Sequence, residues 1–288
     1  VDRRQRQMCI RDSNNNGPVA VTNPSGTTDT NPSGTTTLTV TNSGTYTNNG
    51  TTGDVTNNSG GVYTNAGTGG DVTNSGTFTN SSGGTVGAVT NNSGGTFTNS
   101  GTTGAVTNAG TFTNNSGGVT GAVTNSGTFT NNSGGTTGAV TNTGTFNNAG
   151  TTGNVTNNNG GTFNNNAGGT TGTVTNNSGG IFNNRGTVTT VTNAGTFTNY
   201  STGVTGAFTN TGTLTNNSGG TIASLTNSNV ATNNGTISGN VVNNNGATLT
   251  NGGRISGTLT NRGTATNSGT IVGATTNSGT LTNSGTTD

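Results

Sequence analysis

The sequence predicts an all-β parallel β-helix, a β-solenoid of about 17 residues per coil with three short strands in each coil. Three observations carry this expectation. A segment of the type Val-Thr-Asn returns at a nearly fixed step, and a second large apolar residue returns between successive copies of it. With 55 glycines and 22% apolar residues among 288, the chain also lacks the material for an ordinary two-layer core.

The repeat anchors fall at Leu38, Val55, Val72, Val89, Val106, Val123 and Val140, a constant step of seventeen in the numbering. Steps of 15 to Val155 and 19 to Val174 together make two ordinary periods, and 17 resumes through Val191, Phe208 and Leu225. Val241, Leu259 and Thr275 follow at 16, 18 and 16, so about fifteen coils are expected from Leu38 onward.

The second apolar position runs through Tyr46, Tyr63, Phe78, Phe97, Phe112, Phe129, Phe146, Phe163, Phe182, Phe197 and Leu214. It follows its anchor at a distance of 6 or of 8, and the return to the next anchor is usually 11 or 9 respectively. A chain without structure has no reason to offset a lengthened loop by shortening the next one, whereas a coil of fixed perimeter must do so. A third, weaker element precedes the anchor, visible at Val119, Val204, Ile222, Ile237, Ile255 and Ile271 and held by threonine in coils such as Thr102-Thr103.

Each element alternates large apolar with β-branched polar residues at period two, the strand pattern, so Phe129 should point in while Thr128 and Thr130 point out. Asn-Ser-Gly and Asn-Asn-Ser-Gly-Gly connect the elements with residues that tolerate tight turns. Gly, Asn and Thr are poor helix residues, and no apolar stripe of helical period can be drawn. One thin coil cannot bury its few apolar side chains alone, but stacking at ~4.8 Å sets Val on Val and Phe on Phe. Asn125 and Asn131, two residues after inward apolar positions, should then face inward at corners and stack their amides as ladders. The rod should be about 70 Å long.

Residues 1–13, VDRRQRQMCIRDS, differ in kind: they hold four of the seven arginines, the only Cys and the only Met. They resemble translated sequencing-adapter read-through of the type found at gene ends in metagenome assemblies, so they are set apart as an artefactual or disordered tail. Residues 14–36 are expected to be a linker or an irregular N-terminal cap, and residues 37–288 one solenoid. No stretch has the length and apolarity of a signal peptide or a membrane helix.

From Asn14 onward the charged side chains are three arginines and four aspartates, which is no footprint for nucleic acid or an anionic membrane. That part of the chain has no His, Cys, Glu, Lys or Trp, so no catalytic, cofactor or metal site is expected and the chain is read as non-enzymatic. Asp54 and Asp71 stand one period apart and should stack; two solvated acids are the plainer reading, and a calcium bridge the sharper one. Sequons such as Asn57-Asn58-Ser59 arise by chance in such a composition, and no glycine-rich stretch continues into the Lys-Thr or Lys-Ser of a phosphate loop. The candidate surface feature is a pair of outward threonine rows formed by Thr77 and Thr79, Thr96 and Thr98, Thr111 and Thr113, and Thr128 and Thr130. These rows resemble the threonine array of β-solenoid ice-binding proteins, although Asn147, Asn164 and Asn183 interrupt one of them.

Units such as VTNSGTFTNNSGG, GTISGNVVNNNGATLTNGGRISG and GTLTNRGTATNSGTIVG, over about residues 37 to 288, resemble the passenger regions of autotransporter-type bacterial surface adhesins. The resemblance implies a right-handed β-helix, although the coils of that family are typically longer than the period read here, which leaves handedness open. It further implies a secreted or cell-surface location, outer-membrane attachment through a C-terminal region outside this sequence, and a role in adhesion or aggregation. The expected partner is a surface ligand: a host or abiotic surface, a glycan, or another copy of the chain. Neither nucleic acid nor membrane insertion by this interior piece is expected, and an ice- or carbohydrate-binding solenoid is the alternative.

Overall fold

The computed structural model describes residues 18–287, so the segment set apart as residues 1–13 lies outside the described residues. The chain is a parallel β-solenoid. One coil comprises Val106–Asn108, Thr111–Asn114 and Val119–Thr120. Each strand pairs in parallel with its equivalent one coil away, Val106 with Val123 and Phe112 with Phe129. The aromatic strands form one 16-stranded sheet, and the Val-Thr-Asn strands and third strands together form a 26-stranded sheet that bends around a corner. Sixteen rungs at ~4.8 Å give a rod of about 70 Å. The first rung precedes the fifteen read from the repeat: Val19–Asn23 and Thr28–Asn31 pair with the next coil, and Asp29 occupies the place of the aromatic opposite Tyr46.

Two details of register depart from the sequence reading. The anchor opposite Val55 is Val40, not Leu38, which stands 52% exposed at a corner; the step from this anchor to Val55 is therefore shorter than the regular one. Val119 and Val204 point outward, and Thr120 and Thr205 take the inward places beside them. The two misreadings differ in cause: Leu38 lies two residues before Val40, in the corner that precedes the inward anchor, whereas Val119 lies one residue from the inward Thr120. In a strand a slip of one residue exchanges the faces, and in a segment as short as Val119–Thr120 an isolated valine does not fix the register.

Every change in coil length is taken up at a corner. After an inward asparagine the chain turns either in two residues, as at Ser100-Gly101, or in four, as at Asn92-Ser93-Gly94-Gly95. The coil from Val140 has two short corners and the coil from Val155 two long ones, hence steps of 15 and then 19. The uneven coils near the end come from a third corner longer by one residue, Ser256-Gly257-Thr258 where earlier coils have Gly104-Ala105. The two glycines of the long corner answer different demands. Gly94 sits at φ +81°, the left-handed region that side chains disfavour, with open space around it. A Cβ on Gly95 would lie 2.6 Å from Asn91 Oδ1 and 2.7 Å from the Asn74 carbonyl, so backbone contact forbids any side chain there.

Inside, the rings from Tyr63 to Phe182 stack with centroids 4.6–5.0 Å apart and planes within 14° of parallel, the spacing the backbone rungs impose. Beyond Phe197 the aromatic column shrinks to Leu214, Ala231, Leu249, Ala265 and Leu281. The facing third column grows in compensation, from threonines such as Thr103 and Thr120 to Ile222, Ile237, Ile255 and Ile271, so the coil stays filled at constant perimeter.

Two asparagine columns run the length of the rod, one after the Val-Thr-Asn anchor and one after the aromatic. Asn91 Nδ2 donates to Asn108 Oδ1 at 2.7 Å, Asn108 to Asn125 at 2.7 Å and Asn125 to Asn142 at 2.8 Å. Each amide also closes its own corner: Asn91 donates to the Gly95 carbonyl at 3.1 Å and to the Thr111 carbonyl of the next coil at 3.0 Å. The inward placement read for Asn125 and Asn131 is therefore what the fold uses.

Two outcomes follow for the core. The Thr205 hydroxyl is buried without a hydrogen-bond partner between Val188 and Ile222, whereas the Thr152 hydroxyl donates to Asn148 Oδ1 at 2.9 Å. Thr205→Val should raise stability by about 1 kcal/mol and Thr152→Val should lower it by a similar amount, read by chemical denaturation. Burial pushes the Tyr63 phenol up from 10.0 to about 12, partly countered by its Thr52 contact at 3.5 Å. A proton held more tightly in the folded state means that stability is intact below pH 10 and falls as pH climbs from 10 towards 12. The loss should be on the order of 2–3 kcal/mol, and Tyr63→Phe should remove most of it; an unchanged alkaline unfolding profile would contradict the assignment.

Candidate functional site

The outward surface is generated by the same alternation that fills the core. On the aromatic sheet, strand Thr111–Asn114 buries Phe112 and Asn114, so Thr111 and Thr113 face out. Stacking in register then places Thr77, Thr96, Thr111 and Thr128 in one column and Thr79, Thr98, Thr113 and Thr130 in a second, as the sequence reading expected. The first column is exposed, while the second is half-buried. Neither is uniform along the rod. The first is broken by Val62, Ile181 and Val230, and the second by Asn147, Asn164 and Asn183.

A further column went unremarked in the sequence. The middle residue of each Val-Thr-Asn strand faces out, and it is threonine in every coil from Thr22 through Thr107 and Thr124 to Thr226 before giving way to Val242. Its signal was present in the period-two reading itself, since an inward Val106 and an inward Asn108 leave Thr107 outward. β-branched threonine has few χ1 choices, so each column presents methyl and hydroxyl groups in a fixed order.

Asp54 and Asp71 do stack, and their carboxylates have a defined task. Asp54 Oδ1 accepts the Asp71 backbone N–H at 3.0 Å and Asp71 Oδ1 accepts the Ala88 N–H at 2.8 Å. Asn154 and Asn240 do the same for Thr173 and Thr258, both at 3.0 Å, so the position is a corner clasp that either an acid or an amide can fill. Among the described residues no group of three or more His, Cys, Asp or Glu is placed to hold a metal ion. No helix among them is long and apolar enough to cross a membrane.

No family model matches the chain, and no curated protein matches it. Among solved structures it is similar to the TibC-catalysed, hyper-glycosylated fragment of TibA spanning residues 55–350 of that protein. The identity is 25%, the TM-score is 0.57, and the match covers 92% of this chain and 100% of the other.

Proposed function

We propose that the chain is a structural and adhesive rod, a passenger-type segment of a secreted or outer-surface bacterial protein that mediates adhesion or aggregation, without enzymatic activity. The observation that carries this reading is the solenoid itself: one coil repeated sixteen times with its side chains committed to stacking, in a fold shared along its length with the TibA fragment. The repeat style of autotransporter adhesin passengers, read from the sequence, points the same way. A rod of about 70 Å whose outer columns are uncharged hydroxyls and amides suits reach and broad, weak surface contact. We extend the proposal to glycosylation, since the TibA fragment is hyper-glycosylated and outward Thr and Ser hydroxyls here would carry an O-linked sugar outside the core. Beads coated with the chain should clump, or hold to glass or host-cell surfaces, more than beads coated at equal density with an inert protein of similar size. Equal behaviour of the two would contradict the reading.

The second reading, an ice-binding face, is favoured by one observation, the threonine column on the Val-Thr-Asn face that runs without interruption to Thr226. The broken columns on the aromatic face favour the rod. Thermal hysteresis in a solution of the chain, abolished by Thr107→Lys and Thr124→Lys together, is the outcome that would make ice the ligand; its absence leaves the rod.

A further inference from the structure

An outward column has no core volume to balance, so a run of consecutive coils that changes residue type there and links the new side chains to one another points to something besides the coil. The second outward column of the aromatic sheet is threonine from Thr30 to Thr130 and again from Thr198 to Thr282; the three coils between carry Asn147, Asn164 and Asn183. These amides are linked on the surface. Asn164 Nδ2 donates to Asn147 Oδ1 at 2.8 Å, and Asn183 Nδ2 donates to Asn164 Oδ1 at 2.9 Å. Donation runs towards the N-terminal coil, opposite to the buried ladders, and leaves the Asn183 oxygen and an Asn147 N–H open at the two ends.

The adjoining corner departs from the repeat at the same level. Two residues after Asn183 the short corner carries Arg185, and the long corner of the next coil carries Tyr200 and Thr202. The Arg185 guanidinium lies over the Tyr200 ring, 3.8 Å from its centroid. Thr202 Oγ1 donates to the Arg185 carbonyl at 2.7 Å and Tyr200 N–H to the Asn184 carbonyl at 2.8 Å, which fixes the corner. Among the described residues Tyr200 is the one aromatic ring outside the core. The nearest described acid along the rod, Asp71, is six rungs or about 30 Å away, so the guanidinium carries an unneutralised charge and a free fork of donors. Packing of the ring alone would not require a change in the neighbouring amide column.

We propose that the strip from Asn147 through Asn164 and Asn183 to Arg185 and Tyr200 binds an anionic saccharide. The guanidinium takes a carboxylate or sulfate in a two-pronged contact, the surface amides exchange hydrogen bonds with ring hydroxyls, and the Tyr200 ring holds the guanidinium in place. The strip covers four rungs, about 14 Å along the axis. It names a ligand class and a place on the rod; the rod proposal stands if this one fails.

Calorimetric titration of the chain with polygalacturonate, dextran sulfate and neutral dextran tests it. Binding of at least one anionic polymer is expected, weakened by added salt, with dextran silent. Arg185→Ala should weaken that binding roughly tenfold or more, and Asn164→Thr, which restores the repeat, should weaken it by less. Arg254→Ala, which removes another exposed guanidinium four rungs along the rod, should leave it unchanged, and circular dichroism should show all three variants folded as the parent. Whichever polymer binds identifies the anionic group. Failure of both anionic polymers to bind, dextran binding as tightly, an equal loss in Arg254→Ala, or no loss in Arg185→Ala would each overturn the proposal.

Discussion

The asparagine ladders are the constraint on which the rest of this structure depends. Each inward amide sits at a corner, where it adds a second donor to carbonyls that already accept a backbone N–H, as the Gly127 carbonyl accepts the Thr145 N–H at 2.9 Å. Asn125 Nδ2 reaches the Gly127 and Thr145 carbonyls, both at 3.0 Å, and Asn142 Oδ1 at 2.8 Å, three acceptors shared between its two N–H groups. A shorter side chain would not reach the next rung, and an acid would lose the donors. Because the same amide both closes a corner and joins two coils, turn geometry and stacking are solved together, and the coil can be reused with little variation.

That economy explains how so polar a chain folds. Apolar side chains make up two inward columns and part of a third, and the amide columns occupy two of the three corners. Length variation is absorbed where no ladder bond is involved, by lengthening the turn after an asparagine or the third corner, so anchors stay in register through the shortest and the longest coils alike. Core volume is balanced by the same rule: where rings give way to Leu and Ala, threonines opposite become isoleucines.

Much of this was legible in the sequence, because a fixed perimeter writes itself as compensating loop lengths and a strand writes itself as alternation. The aromatic column, the inward asparagines and the outward rows at Thr77 to Thr130 could all be placed from spacing. What escaped was register where local pattern is thin. Leu38 is a larger hydrophobe than Val40 and sits at the regular step, yet the ladder partner of Asn57 is Asn42, and Asn42 brings Val40 inward. The outward column through Thr107 escaped attention because it is uniform, and the group at Arg185 and Tyr200 because its parts join only when the coils are stacked.

The account of function rests on that same stack: a rod with an inert interior and a repetitive exterior, on which the few departures from the repeat stand out. Its central claim is that the ladder amides, more than apolar packing, hold the rungs equivalent. Denaturation of Asn125→Leu beside Asn132→Leu tests this most directly. Asn125 is buried in the ladder, whereas Asn132 makes its 3.0 Å bond to Asn115 on the surface. We expect Asn125→Leu to lose several kcal/mol despite the added apolar surface, because it strands donors and acceptors in both neighbouring coils, while Asn132→Leu changes stability by under about 1 kcal/mol. Equal stability of the two variants would contradict the account.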